Sequence, residues 1–395
     1  MTLALPIRQV QLFPVMIPRR TGFKNLHVML RLEADGGAVG WGEMSDLSHL
    51  PLYQLDLKAL EQALTDMLAG QDAANLAALE ERVLRFFPNE GHKYSRAGLV
   101  RQAVDLAAHD LVARAQGVDV AALLGGRLRD RFKVCYPIFR MRSAAAVAPN
   151  LAQMEDALAR GFDLFRVYVG GDLMAEEQFF EQAAERFGGR VRFKSLDFSN
   201  LLPWRRSLPW AERLAERAEF TLIESPAPEN DDAGLREFRR HSRWPVSEHV
   251  NHIQHAWHML HAGLVDILNV SPYVVGGLRP SLRIIGLAEA AQASVLLGTT
   301  QELDLGTAAL AHLGAAARVL DYASDCTGPE LYTERVVKEP LRYEGGQMMA
   351  PDGPGLGVDV DEVRLAMFAA GGEDPFGADV RAILDRTPAQ PRKES

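Results

Sequence analysis

The spacing of hydrophobic and polar positions changes character along this chain, and the changes mark its organisation. Val10–Ile17 and His27–Glu33 alternate and carry many β-branched and aromatic residues, which predicts two strands. Ala34-Asp35-Gly36-Gly37 is a turn signal, and Ala38–Glu43 reads as the returning strand. From Leu57 to about Gln116, Ala and Leu recur at three- and four-residue spacing, which predicts helices, punctuated afterwards by Gly117 and Gly125-Gly126. From Phe132 onward, short apolar runs alternate with amphipathic stretches. The predicted strands are Phe132–Ile138, Leu164–Val169, Val191–Asp197, Thr221–Glu224, Val246–Glu248, Asp266–Val270 and Ser294–Gly298. Helices such as Ala145–Arg160 and Leu173–Phe187 lie between them. Repeated strand–helix units with short loops imply a parallel sheet covered by helices. About seven units suit a closed barrel better than an open sheet. From Arg342 the chain returns to mixed character, and Pro388–Ser395 reads as a frayed polar end.

Composition narrows the class. The 395 residues suit one large domain with a smaller one, and 47% hydrophobic with 24% charged residues is ordinary globular usage. A net charge of −9 argues against nucleic acid as a partner, because phosphate binding needs a basic surface. Cys135 and Cys326 form no CxxC pair, so a reducing compartment is expected. Met1–Arg20 is broken by Pro6, Pro14 and Pro18 and lacks a signal-peptide pattern, and no apolar run is long enough to span a membrane. The expected location is the cytoplasm. Gly125-Gly126 and Gly276-Gly277 lack the strand–GxGxxG–helix setting of a nucleotide loop.

Three acids close consecutive apolar runs: Asp197, Glu224 and Glu248. Each alone could be a loop residue or a helix cap. Recurring one unit apart, they would stand side by side on the C-terminal rim of a barrel, where such folds keep their chemistry. Close carboxylates repel unless a cation sits among them, and one Mg²⁺ is the best fit, with Mn²⁺ as substitute.

The chain resembles the mandelate racemase and muconate-lactonizing branch of the enolase superfamily. The likeness runs through Gly40-Trp41-Gly42-Glu43, Ala103–Leu111, Leu123–Gly126, Leu196-Asp197-Phe198-Ser199-Asn200, Ile223-Glu224-Ser225-Pro226, Ser247-Glu248-His249, Asp266-Ile267-Leu268-Asn269, Val275–Leu278 and Gly355–Val358. It implies an α/β fold, a modified TIM barrel of (β/α)7β type with an α+β capping domain. The cap would be 1–131, completed by 343–395, and the barrel 132–342. It also implies Mg²⁺ on Asp197, Glu224 and Glu248, a small-molecule carboxylate substrate that loses its α-proton, and a homo-oligomer.

The usual bases are missing. The family's Lys-x-Lys on the second strand reads Arg166-Val167-Tyr168 here. Alternation points Arg166 and Tyr168 to one side, the arginine suited to clamping a carboxylate and the phenol to acid–base work. Ser271 stands near the sixth-strand base position, and no His follows the seventh strand, where Glu302 resembles the muconate-type pattern. His249 is a further acid–base candidate or a hydrogen bonder behind the site. His252, His255, His258 and His261 read as helix-surface or packing residues. The segment containing Thr21, Phe23 and Lys24 would be a loop closing over substrate, with Asp46–His49 as a second loop, and Arg140 would neutralise the substrate's charge. The expected activity is a dehydratase of a sugar acid or hydroxy acid, since one-base elimination survives the loss of an opposed base. A racemase, epimerase or cycloisomerase is the alternative, and a non-catalytic metal-binding descendant the third.

Overall fold

The computed structural model describes residues 4–47 and 55–370. Strands β1 (Ile7–Pro18), β2 (Lys24–Ala34) and β3 (Val39–Met44) form an antiparallel sheet in that order. Helices α1 (Leu57–Leu68), α2 (Leu76–Phe86) and α3 (Arg96–Gln116) follow. Ser95 caps α3 by accepting from Gly98 N, and Gly117 ends it in a left-handed turn. Gly40 and Gly42 let α3 lie directly on β3, because a Cβ at either would come within 2.1 Å of a helix carbonyl oxygen.

The barrel strands are β5 (Tyr136–Ile138), β6 (Leu164–Tyr168), β7 (Arg192–Asp197), β8 (Phe220–Glu224), β9 (Val246–His249), β10 (Ile267–Val270) and β11 (Ser294–Leu297). They form one parallel sheet in chain order. The extended run around Ser324 closes it: Asp321 N and Asp325 N donate to Val295 O and Leu297 O of β11, while Cys135 N donates to Ser324 O. Between the strands lie α5 (Val147–Ala159), α6 (Leu173–Phe187), α7 (Trp204–Leu214), α8 (Asp232–His241), α9 (Ile253–His261), α11 (Leu278–Ala290) and α12 (Asp304–Ala316). The expected α/β architecture, a parallel barrel with an α+β cap, is therefore present.

One predicted strand divides. Phe132–Ile138 becomes β4 (Arg131–Lys133), which pairs with β13 (Gln347–Met349) outside the barrel, and β5 inside it. Val134 and Cys135 leave the first pairing to meet Ser324. Hydrophobic packing forms two main cores. One fills the barrel and its helices; the other joins the cap sheet to α1–α3 and takes in Tyr273 and Val274 from α10 (Pro272–Val275). The cap is thereby fastened over the C-terminal end of β10. Among the described residues no helix is long and apolar enough to cross a membrane. Ser48, His49 and the chain beyond 370 lie outside the described residues.

Candidate active site

Parallel register lines up the residues that end the strands. Tyr168 of β6 pairs with Asp197 of β7, and Asp197 pairs with Glu224 of β8. At β9 the match slips by one: Glu224 pairs with Ser247, and Glu248 pairs with Leu268 of β10. Glu248 thus stands beside Ser225, which donates to its Oε1 at 2.8 Å.

A small cavity of about 30 Å³ lies here beneath the cap, lined by Lys93, Tyr94, Arg166, Tyr168, Asp197, Ser199, His249, Thr299, Thr300 and Gln301, among others. Arg166 and Tyr168 share a face, as alternation predicts, and the guanidinium donates to the phenol oxygen at 2.6 Å. Phe139 stacks on the Tyr168 ring at 5.8 Å. Burial pushes the phenol well above its ordinary value, against the pull of Arg166, so it stays protonated. Arg166 is 2% exposed, with Asp325 at 3.0 Å, Glu224 at 3.5 Å and Asp197 at 3.9 Å. Burial opposes its charge, but Asp325, Tyr168 and Glu224 outweigh it.

His249 reaches the same cavity. Its Nε2 lies 3.4 Å from Glu224 Oε1 and 3.4 Å from Asn269 Nδ2, while Nδ1 is buried with no hydrogen-bond partner. Burial, then Lys93, lowers its pKa to about 4, so the ring is neutral near pH 7. Gly298 makes room: a Cβ there would lie 2.0 Å from Asn269 Oδ1 and 3.1 Å from the imidazole.

Three charged groups without a role in the sequence reading complete the site. Lys194 is the residue skipped where β6–β7 pairing shifts, and that bulge turns its ammonium onto Asp325 at 2.6 Å. Asp325 bridges Lys194 and Arg166, whose charges outweigh burial and keep its pKa low. Lys93, from the loop between α2 and α3, is 7% exposed and donates to Asn200 Oδ1. Asn200 Nδ2 donates in turn to Glu248 Oε2 at 2.7 Å.

The other residues expected at the site are placed as follows. Thr21, Phe23 and Lys24 form the exposed tip of the β1–β2 turn, with Phe23 64% exposed. The basic group that turns inward there is Arg19, bonded to Asp46 at 2.8 Å and close to Tyr332. Glu302 is buried and folds back on its own loop, its oxygens taken by Thr299 and Thr300. Arg140 sits at the rim, donating to Val169 O at 2.8 Å and to Ser199 Oγ at 2.9 Å. His252 caps α9, His258 pairs with Asp232 at 2.6 Å and His261 stacks on Trp257, all on the helix surface.

A single Mg²⁺ or Mn²⁺ on Asp197, Glu224 and Glu248 does not fit this arrangement. Three carboxylates are chemically apt for a hard cation. Yet Asp197 Oδ1 already accepts from Ser199 N and Oγ. Both Glu248 oxygens are taken, by Ser225, His249 N and Asn200. Glu224 Oε2 is buried with no partner, and of the described residues Asp197 Oδ2 meets only Arg166, at 3.9 Å. Among the described residues, no three acidic, His or Cys side chains converge closely enough to hold a metal.

Comparison with known proteins agrees with the fold. Residues 150–364 match the family described as enolase C-terminal domain-like, and residues 2–125 match the mandelate racemase / muconate lactonizing enzyme N-terminal domain. A chloromuconate cycloisomerase of Cupriavidus necator is 27% identical over 362 residues, covering 90% of this chain and 94% of the relative. Muconate cycloisomerase 1 of Rhodococcus opacus is 29% identical over 310 residues, 76% of this chain and 79% of the relative. The crystal structure of a muconate cycloisomerase from Pseudomonas fluorescens superposes with a TM-score of 0.81 at 24% identity, covering 93% and 99% of the two chains.

Proposed function

Because the chain belongs to the mandelate racemase and muconate-lactonizing branch of the enolase superfamily, we propose that it moves the proton beside the carboxyl group of a small organic acid, as a hydroxy-acid dehydratase. The observation that carries this reading is the pairing of two unlike proton carriers at one cavity. Tyr168 arrives from β6 as a protonated phenol fixed by Arg166, and His249 from β9 as a neutral imidazole with Nδ1 unpartnered. Elimination of water needs such a base at the carbon beside the carboxyl group and such an acid at the hydroxyl on the next carbon.

In the proposed reaction, the substrate carboxylate is received by the cations at the cavity, Lys93 and Arg166, with Arg140 at the rim. His249 Nδ1 takes the proton beside the carboxyl group, while Nε2–H faces Glu224. The charge that develops on the carboxyl oxygens is opposed by the nearby guanidinium and ammonium groups. The neighbouring C–O bond breaks, the hydroxide takes the Tyr168 proton, and water leaves. Where the carbon that lost its proton also bears a hydroxyl, the product is an enol, which takes a solvent proton at the neighbouring carbon and becomes a keto acid.

A cycloisomerase is the second reading, because the relatives at 27% and 29% identity carry that activity in their names. The two are separated by incubating the protein in D₂O with a panel of sugar acids, hydroxy acids and unsaturated diacids. Loss of water seen by mass, with deuterium at the product's former hydroxyl-bearing carbon, supports the dehydratase. A product of unchanged formula replaces it with the isomerase.

A further inference from the structure

The carboxylate ladder raises an electrostatic problem, and this chain has its own groups for solving it. Asp197, Glu224, Glu248 and Asp325 are all buried. Four carboxylates taken out of water need compensating charge close by, because unpaired buried ions cost several kcal/mol each. Four cations stand around them. Arg166 lies within 4 Å of Asp325, Glu224 and Asp197. Lys194 holds Asp325. Arg140 reaches Ser199, which donates to Asp197. Lys93 descends from the cap onto Asn200, the residue that holds Glu248.

Lys93 deserves its place in that count on geometry. It comes from a loop of the cap domain, yet its side chain is almost wholly buried and lines the same cavity as Asp197 and His249. An ammonium group so placed is tolerable only where carboxylates surround it. Tyr94, then Glu248 and Asp197, outweigh the burial that would otherwise strip its charge. A divalent ion added to this set would meet an ammonium and a guanidinium already facing the ladder, and the repulsion is strong where water is scarce.

We propose that Lys93 and Arg166 are built-in counter-ions of the ladder, and that the site holds its carboxylates, and receives an anionic substrate, without a divalent metal ion. The proposal rests on the reading that this cavity is the reaction site. Its test reads binding and not turnover, so failure to find a substrate counts against that reading alone.

The test titrates the purified full chain, stripped with EDTA, with Mn²⁺ and follows bound Mn²⁺ by electron paramagnetic resonance. The wild type is expected to hold no stoichiometric Mn²⁺ at micromolar concentrations, and its Tm is expected not to move with Mg²⁺. Lys93→Ala removes the ammonium that bonds Asn200 beside Glu248 and is expected to gain Mn²⁺ affinity by about tenfold or more. Lys93→Arg keeps the charge and is expected to stay like the wild type. One Mn²⁺ bound per wild-type chain overturns the proposal, whatever the variants do. So does a folded Lys93→Ala, judged by near-UV circular dichroism, that gains no affinity.

Discussion

Tyr168 is held on several sides: Phe139 lies flat against its ring, Arg166 donates to its oxygen, and the Arg140 guanidinium lies 5.8 Å from the ring centroid. Removing only the hydroxyl leaves that packing in place. Tyr168→Phe is therefore expected to keep its Tm within a few degrees and lose about 10²- to 10⁴-fold in kcat, checked by thermal melts beside a turnover assay. His249→Asn is expected to abolish exchange of the substrate's α-proton with D₂O, which NMR reads directly. Gly298→Ala probes the space behind these groups. Its methyl would strike Asn269 and crowd the imidazole, so a stability loss of about 1–3 kcal/mol in urea unfolding is expected. At this scale the sequence was readable where period-2 alternation governs. It put Arg166 and Tyr168 on one face because each is fixed by β6 itself. It was unreadable in the β1–β2 turn, where Thr21, Phe23 and Lys24 looked like substrate contacts and Arg19 is the residue that turns inward.

Strand ends, not single residues, decide which charges meet. The βα spacing of Asp197, Glu224 and Glu248 was plain in the sequence, but the one-residue slip at β9 was not, because register belongs to pairs of strands. Lys194 was hidden for a related reason. Alternation sets it opposite Asp197, three positions on, and only the bulge brings it inside. Asp325 lies in the closing run around Ser324, which has no strand pattern of its own. Together Arg166, Asp325 and Lys194 tie β6, β7 and the closing run into one charged knot. Asp325→Asn leaves two buried cations facing one amide. A loss of about 3–5 kcal/mol is expected on chemical unfolding; a loss below about 1 kcal/mol would mean the knot is not what holds the barrel's closure.

Across the whole molecule, the two cores and the parallel order of β5–β11 were the most legible features, since helix and strand periods persist over many residues. Lys93 was the least legible. It sits in a polar loop, Asn89-Glu90-Gly91-His92-Lys93-Tyr94, whose destination depends on how the cap docks. Burial also sets how the fold answers to acid. His312 is fully buried, its Nε2 near Leu356 O, and burial lowers its pKa to about 4. Between pH 6.5 and about 4 the unfolded imidazole takes up a proton that the folded one refuses. Stability from this group is thus complete above 6.5 and falls as pH drops towards 4, by roughly 2 kcal/mol at pH 5. Urea midpoints at pH 7 and pH 5 are expected to differ less in His312→Gln than in the wild type.

The central claim is that one cavity holds a proton-taking His249 and a proton-giving Tyr168 on either side of a small acid. The most direct measurement follows α-proton exchange in D₂O for the wild type, His249→Asn and Tyr168→Phe on one turned-over hydroxy acid. The account predicts that His249→Asn stops exchange, while Tyr168→Phe still exchanges deuterium but releases little water. Exchange that survives in His249→Asn, or dehydration undiminished in Tyr168→Phe, would contradict it.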